Sequence, residues 1–361
     1  LKTINKIYSP TKKLIVLDCD NTLWGGVVGD RGPLNIDLGQ DGIGKAYQDF
    51  QRVIKSYQKK GLLLALCSKN NEDDVIEVFK KNKNMMISLK DIILHKINWN
   101  DKSQNIQEIA HELNIGLDSL IFWDDNPIER DKVKKNLPDV HVVDLENDVE
   151  NWPQKLLNLK NVGKLSVTIE DKNKTVQYKN RSKFIRDLKK SKSLEINYLK
   201  SIKLKPSFQK INVKNINRAA QMCEKTNQFN LRTKRLKEKF FIDIVGSEKY
   251  FCELVSLKDQ YGDHGLVGLY LIKKINKNEA FLENFIMSCR ILGRYLEYWM
   301  MQRALKVVKN KKIKLLHAEY LPTQKNQIVK NFLKECNFRK LNKKYSIDTS
   351  KKVSNYIKIY E

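Results

Sequence analysis

The sequence predicts an α/β domain with a doubly wound parallel sheet, followed by a separate α+β domain. Three observations carry this. Short apolar runs that end in acids or a hydroxyl alternate with helix-period segments over the first 150 residues. The pattern then changes to consecutive strands in a meander, and 361 residues are too many for one ordinary core.

Residues 13–18, Lys-Leu-Ile-Val-Leu-Asp, have the form of a buried parallel strand with a polar group at its C-terminal end. Residues 43–59 read as an amphipathic helix, 62–67 as a second buried strand, and 72–82 as a helix. Residues 103–114 are helical and stop at Asn114 and Gly116; 119–124 form a third strand ending in carboxylates, and Val140 to Val143 add a further one. In such a sheet ligands collect at the C-terminal strand ends. We place this domain at 1–155, a Lys-, Asn- and Ser-rich helical connector at 156–205, and the α+β domain at 206–361. There, 214–226 is helical, 250–257, 265–273 and 280–288 are strands, 293–308 is a helix, 313–318 a strand and 324–335 a helix before a strand-like end.

Lys and Arg number 68 against 42 Asp and Glu, a formal net charge of +26. Residues 1–150 hold 21 basic and 24 acidic residues, net −3, so the remainder holds 47 and 18, net +29. A basic second half suits an anionic partner, while AT-rich codon usage also explains abundant Lys, Asn and Ile. The six cysteines show no CxxC pair or zinc spacing, so a reducing cytoplasm is expected. The longest apolar stretch, Gly61 to Cys67, is far short of the ~20 residues of a membrane span, and no signal-peptide core is seen. The chain starts at Leu1 rather than Met, so it is expected to be a piece of a longer one.

Asp18-Cys19-Asp20-Asn21-Thr22 stands where the first strand ends. Two carboxylates two residues apart can divide labour: one attacks phosphorus, and the other protonates the leaving oxygen and then activates water. Such a pair alone is also common in solvated turns. Ser68 ends the second strand, where a hydroxyl holds phosphate oxygens; Lys102 opens a helix and neutralises charge; Asp124-Asp125 end the third strand and supply carboxylates for Mg²⁺. Each alone reads as a cap, a surface charge or a loop, but four together at successive strand ends form a constellation.

With these four motifs the sequence resembles the haloacid dehalogenase superfamily of aspartate-nucleophile, Mg²⁺-dependent phosphotransferases. The resemblance implies Asp18 as nucleophile and metal ligand, and Asp20 as acid/base with its carbonyl on the metal. It implies Ser68 and Lys102 as phosphate-orienting groups and Asp125 as direct metal ligand with Asp124 beside it. Thr22, Trp24 and Asn70, next to these motifs, are candidate substrate contacts. No long insertion follows either of the first two motifs, so any cap is small.

Asp20-Asn21-Thr22-Leu23-Trp24-Gly25-Gly26-Val27-Val28-Gly29, Ile97-Asn98-Trp99 and Asp124-Asp125-Asn126-Pro127-x-Glu129-Arg130 narrow the resemblance to the FkbH-like subfamily. Thr226-Asn227-Gln228-Phe229-Asn230-Leu231 and Ser288-Cys289-Arg290-Ile291-Leu292-Gly293-Arg294 extend it over nearly the whole chain. It implies a glyceryl transferase and phosphatase that takes 1,3-bisphosphoglycerate, removes phosphate and loads a glyceryl unit onto an acyl carrier protein for polyketide assembly. The alternative is a plain phosphatase fused to an acyltransferase of another pathway, such as surface polysaccharide modification. A nucleic-acid or membrane binder is disfavoured, because no RNP, helix-turn-helix or amphipathic anchor signature is present.

The second half resembles the GNAT acyltransferase fold. Arg290-x-x-Gly293 precedes a long helix whose N-terminus in that fold holds a pantetheine-linked phosphate. Tyr295 stands where a second small residue is usual, which weighs against ordinary coenzyme A and leaves a carrier-protein pantetheine. Arg290 and Arg294 are candidate substrate and carrier contacts. An enzyme thioester would need a cysteine: Cys289, near an expected helix start that lowers a thiol pKa, or Cys19, beside Asp18 but turned away by strand alternation. Cys67, Cys223, Cys252 and Cys336 are expected in cores. Asp263-His264-Gly265 is either a general base or a turn between strands. Trp24, Trp99 and Trp123 flank the motifs, with core packing expected for Trp123.

Overall fold

The computed structural model describes residues 12–146, 148–162, 174–190, 195–341 and 344–360. It divides into two compact units, Leu1–Ser182 and Lys183–Glu361, with the division inside the helix Lys174–Lys190.

In the first unit five parallel strands, β1 (Leu14–Leu17), β2 (Leu63–Ser68), β3 (Ile92–Ile97), β4 (Leu120–Trp123) and β5 (His141–Val142), lie in the order β3-β2-β1-β4-β5. Both faces are covered, which is why β1 and β4 are apolar at every position and β2 is apolar up to Ser68. Ile15, Leu17, Leu64, Leu66 and Trp123 pack with Phe50 and Ile54 of the helix Gly42–Lys59. Leu14, Val16, Leu63, Ala65 and Phe122 pack with Ile106, Ile109 and Val133 of the helices Lys102–Leu113 and Pro127–Asn136. Trp123 is wholly buried, its ring 4.7 Å from Phe50. Leu17 sits level with Leu66 and with Trp123, so the residues that follow, Asp18, Cys67-Ser68 and Asp124, emerge side by side. The strand order reverses between β1 and β4, and the crevice opens outside their C-terminal ends.

Two elements here had no clear sequence signal. β3 is an edge strand in which His95 and Lys96 interrupt the apolar run. The helix Pro127–Asn136 has one residue, Val133, in the core, and begins from the Asn126 side-chain cap with Pro127 in its first turn.

The second unit holds a mixed sheet in the order β12-β13-β11-β10-β9-β8-β6, with β7 paired to β10. Its strands are β6 (Lys205–Lys210), β7 (Phe229–Asn230), β8 (Tyr250–Asp259), β9 (Gly262–Lys274), β10 (Glu279–Met287), β11 (Leu315–Glu319), β12 (Arg339–Leu341) and β13 (Lys344–Asp348). β8, β9 and β10 are the expected antiparallel meander, and β10 runs parallel to β11 after a crossover through the helix Leu296–Asn310. β6 is a polar edge strand that begins at Lys205, the last residue of the stretch read as connector. The helix expected at 324–335 is two short turns, Gln327–Val329 and Phe332–Glu335, separated by Lys330 and Asn331, with the buried Asn326 before the first.

Asp263-His264-Gly265 is not the hairpin turn. It lies within β9, where three steps on β9 span two on β8 (Ser256 opposite Leu266, Lys258 opposite Asp263), a bulge completed by Gly265 at φ 65°. His264 is buried, with Nε2 2.9 Å from Asp259 Oδ1. Arg294 Nε donates to Asp259 Oδ2 at 2.8 Å, and its guanidinium lies 3.9 Å from the Phe184 ring centre. Arg294 is 0% exposed, and Arg290 donates to the His264 carbonyl from a buried position. This corrects their reading as carrier contacts, because both side chains are buried and Arg294 is paired with Asp259.

Removing one partner of a fully buried ion pair strands the other charge. Arg294→Ala should therefore destabilise the second unit by about 3–5 kcal/mol in denaturant unfolding, whereas an effect below about 1 kcal/mol would class the pair with exposed ones.

Candidate active site

Asp18 follows β1, and its backbone N–H donates to the Trp123 carbonyl at 3.0 Å, which locks it beside the end of β4. Lys102 opens its helix because Asp101 is the N-cap and accepts from the Ser103 and Gln104 N–H groups. The Lys102 Nζ lies 2.6 Å from Asp124 Oδ2 and 3.1 Å from Asp18 Oδ2, with all three side chains more than nine-tenths buried. Burial works against this ammonium, yet Asp18 and Asp124 outweigh it and hold its pKa above the ordinary value. Asp124 is pushed upward by burial and then by Asp18, with Lys102 pulling the other way.

Asp125 shares a two-way contact with Thr22: its N–H donates to Thr22 Oγ1, and that hydroxyl lies 3.2 Å from Asp125 Oδ1. Asp18, Asp124 and Asp125 each offer a carboxylate oxygen, and these oxygens lie within 4.8 Å of one another. Asp18 Oδ1 is buried and has no hydrogen-bond partner among the described residues. An oxygen-only donor set with an orphaned buried carboxylate oxygen fits a hard divalent cation.

The Asp20 side chain stands outside that triad. Its Oδ1 accepts from Trp24 Nε1 at 2.8 Å and from the Val28 N–H at 3.1 Å, and its Oδ2 accepts from Asn70 Nδ2 at 2.7 Å. Burial raises its pKa, then these three donors and the Asp18 charge enter with opposing signs, for a net rise. A carboxyl held in one orientation with an elevated pKa is equipped to carry a proton.

These contacts revise three expectations. Thr22 and Trp24 are wholly buried and Asn70 nearly so, and their polar atoms are spent on Asp125 and Asp20. They position acids. Ser68 ends β2 in a buried position, and its carbonyl accepts from the Asn98 N–H. Cys19 continues the Ile15 and Leu17 face into the core, where burial first and Asp18 next push its thiol well above the ordinary value. A thiol so protonated and enclosed is not a nucleophile. Cys289 is half-buried on the single turn Cys289–Ile291, and the helix expected to activate it starts only at Leu296. Cys67, Cys223, Cys252 and Cys336 are buried as expected, and Trp99 is 70% exposed.

Two residues emerge only in three dimensions. Arg130 Nη1 donates to the carbonyls of Asp124 (2.8 Å) and Asp125 (2.6 Å), and its Nη2 donates to that of Leu145. It thereby fixes the loop that aims both acids. Glu129, buried beside it, pairs with Lys69 at 2.8 Å. Both lie in the Asp-Asp-Asn-Pro-x-Glu-Arg run, which was their available signal.

No family model and no curated protein matches the chain. Among solved structures, it is similar to the N-terminal part of a Bacteroides fragilis protein containing a phosphatase domain, complexed with Mg. That match has 44% identity and a TM-score of 0.42, and covers 44% of this chain and 43% of the other. A putative acetyltransferase of the GNAT family from Desulfovibrio desulfuricans is 11% identical, with 40% of this chain and 99% of that one covered at a TM-score of 0.35. The ribosomal-protein-S18-alanine N-acetyltransferase from Escherichia coli is also 11% identical, with 42% and 98% covered at 0.33.

Converging acids cost stability that a neutral isostere recovers. Burial and then Asp18 raise Asp125, so its charge opposes folding at neutral pH. In the presence of chelator, Asp125→Asn should raise stability by roughly 1 kcal/mol in thermal unfolding; a loss of that size would show that the acids do not repel.

Proposed function

We propose that the first unit is a Mg²⁺-dependent phosphotransferase with Asp18 as nucleophile and Asp20 as acid and base. The observation that carries this is the division of labour in the geometry: Asp18 lies 3.1 Å from the Lys102 ammonium, and Asp20 is held apart by Trp24, Val28 and Asn70. The Asp18 carboxylate attacks phosphorus, the bond to the leaving oxygen breaks, and Asp20 protonates that oxygen. Asp20 then takes a proton from water as it attacks the aspartyl-phosphate, which frees phosphate and restores both acids. Lys102 offsets the charge of nucleophile and phosphoryl group, and Ser68 is the hydroxyl we propose for a phosphate oxygen. Asp18 and Asp125, with Asp124, would hold Mg²⁺, the ion complexed by the Bacteroides fragilis domain. When bound, the ion supplies positive charge to the phosphoryl oxygens.

The full reaction we propose is removal of phosphate from a 1,3-bisphosphoglycerate-type substrate and transfer of the glyceryl unit to an acyl carrier protein thiol, with the second unit as the acyl-transfer part. What supports it is the set of FkbH-like motifs in both halves, including Ser288 to Arg294. The net +29 of residues 151–361 suits an acidic carrier, although Arg290 and Arg294 do not contribute to that surface. Cys289, half-buried where the other cysteines are buried, is the thiol we propose for any enzyme thioester.

Asp18→Asn should abolish phosphate release, by at least about 1,000-fold, in a Mg²⁺-supplemented assay; retained turnover would sink the aspartyl-phosphate route. Incubation with 1,3-bisphosphoglycerate, Mg²⁺ and a holo carrier protein should leave the carrier heavier by one glyceryl unit by intact mass. An unmodified carrier with free phosphate would favour a plain phosphatase.

A further inference from the structure

The second unit has a hollow that the proposed function does not use. β11 ends at Glu319, opposite Lys344 at the start of β13. The chain then leaves the sheet through Leu321 and Pro322 and passes into the turns Gln327–Val329 and Phe332–Glu335. These turns are two-sided: Val329, Phe332 and Leu333 are buried, whereas Lys330 and Lys334 are exposed on the other side. A cavity of about 610 Å³ lies there, lined among others by Tyr320, Leu321, Lys330, Lys334, Lys340 and Tyr345. Small-molecule sites run from roughly 300 to 1,000 Å³, so the hollow has the size of one.

Its charge is one-sided. Lys330, Lys334 and Lys340 bring three ammonium groups, and none of them has an ion pair among the described residues. The acid in the lining, Glu319, is already paired with Arg232 Nε at 3.2 Å. Like charges in one concavity repel until an anion is shared between them, and a concave wall concentrates their field. The rest of the wall is ring and aliphatic surface. Tyr345 pairs across the sheet with Lys340, whose ammonium lies 5.8 Å from the Tyr345 ring centre. Tyr320 is half-buried, its hydroxyl 3.5 Å from Asn326 Oδ1, and Leu321 is 40% exposed. Lysine binds phosphate as a point charge on a flexible stem, and aromatic walls receive a flat apolar body.

We infer that this cavity binds a small anion of the phosphate-monoester type carried on a ring-sized apolar body, with the three lysines on the anion and Tyr320 and Tyr345 on the body. It belongs to the second unit and does not depend on the phosphoryl chemistry proposed for the first.

Lysine acetylation of the full chain, read by peptide mass spectrometry with chelator present, tests this with phenylphosphonate, which has no ester bond to hydrolyse. At about 1 mM this probe should slow acetylation of Lys330, Lys334 and Lys340 by about fivefold or more. Lys309, Lys311 and Lys312, exposed at the end of the helix Leu296–Asn310, should be unaffected. Inorganic phosphate should need about tenfold higher concentration for the same protection, and benzyl alcohol should give none. No protection by phenylphosphonate, or equal slowing of both groups of lysines, would overturn the site. Equal potency of inorganic phosphate, or protection by benzyl alcohol, would overturn the ring-bearing anion as its ligand. Lys330→Ala with Lys334→Ala, both at exposed positions, should abolish the protection of Lys340; retained protection would overturn their role.

Discussion

The buried ammonium of Lys102 is the constraint on which the first unit's site depends. Two like charges about 4 Å apart repel by roughly 4 kcal/mol at an effective dielectric constant of 20, and this site brings three carboxylates within 4.8 Å. Without a cation between Asp18 and Asp124 the acids would protonate or move apart. Lys102 answers this at 2.6 and 3.1 Å. It sits at the first turn of a helix, where a cation is normally unfavourable. The Asp101 cap and the two facing carboxylates reverse that preference, so helix, strand ends and site are mutually dependent.

Around this centre, second-layer contacts keep the acids in distinct roles. Trp24, Val28 and Asn70 hold Asp20 away from the triad; Thr22 and Arg130 fix the loop that carries Asp124 and Asp125. Side chains adjacent in sequence to the acids thus serve as supports. The second unit shows the same economy in its core, where a bulge in β9 turns His264 toward Asp259, and Arg294 satisfies that acid. Its motif residues hold the fold together.

Much of this was readable beforehand where local pattern and tertiary role agree. β1 and β4 are apolar at every position and β2 up to its last residue, Ser68, because both faces are buried, and a polar residue stands at or just after each C-terminal end. The meander of β8 to β10 was legible for a similar reason. β3 was not, since an edge strand admits His95 and Lys96. The helix Pro127–Asn136 was not, since one core residue gives no periodicity.

The sequence by itself determined the fold class, the order of the strands along the chain and the acids, hydroxyl and lysine at their ends, because these follow from hydrophobic period and residue type. Only the tertiary structure decided which polar atoms remain available. Thr22, Trp24, Asn70, Cys19, Arg290 and Arg294 all lie in chemically suggestive motifs, yet each is buried with its polar group engaged or enclosed. The reason is that a motif specifies neighbours along the chain, whereas burial and hydrogen bonding are set by partners remote in sequence: Asp125 for Thr22, Asp259 for Arg294, and Tyr356 for the helix that Tyr295 begins.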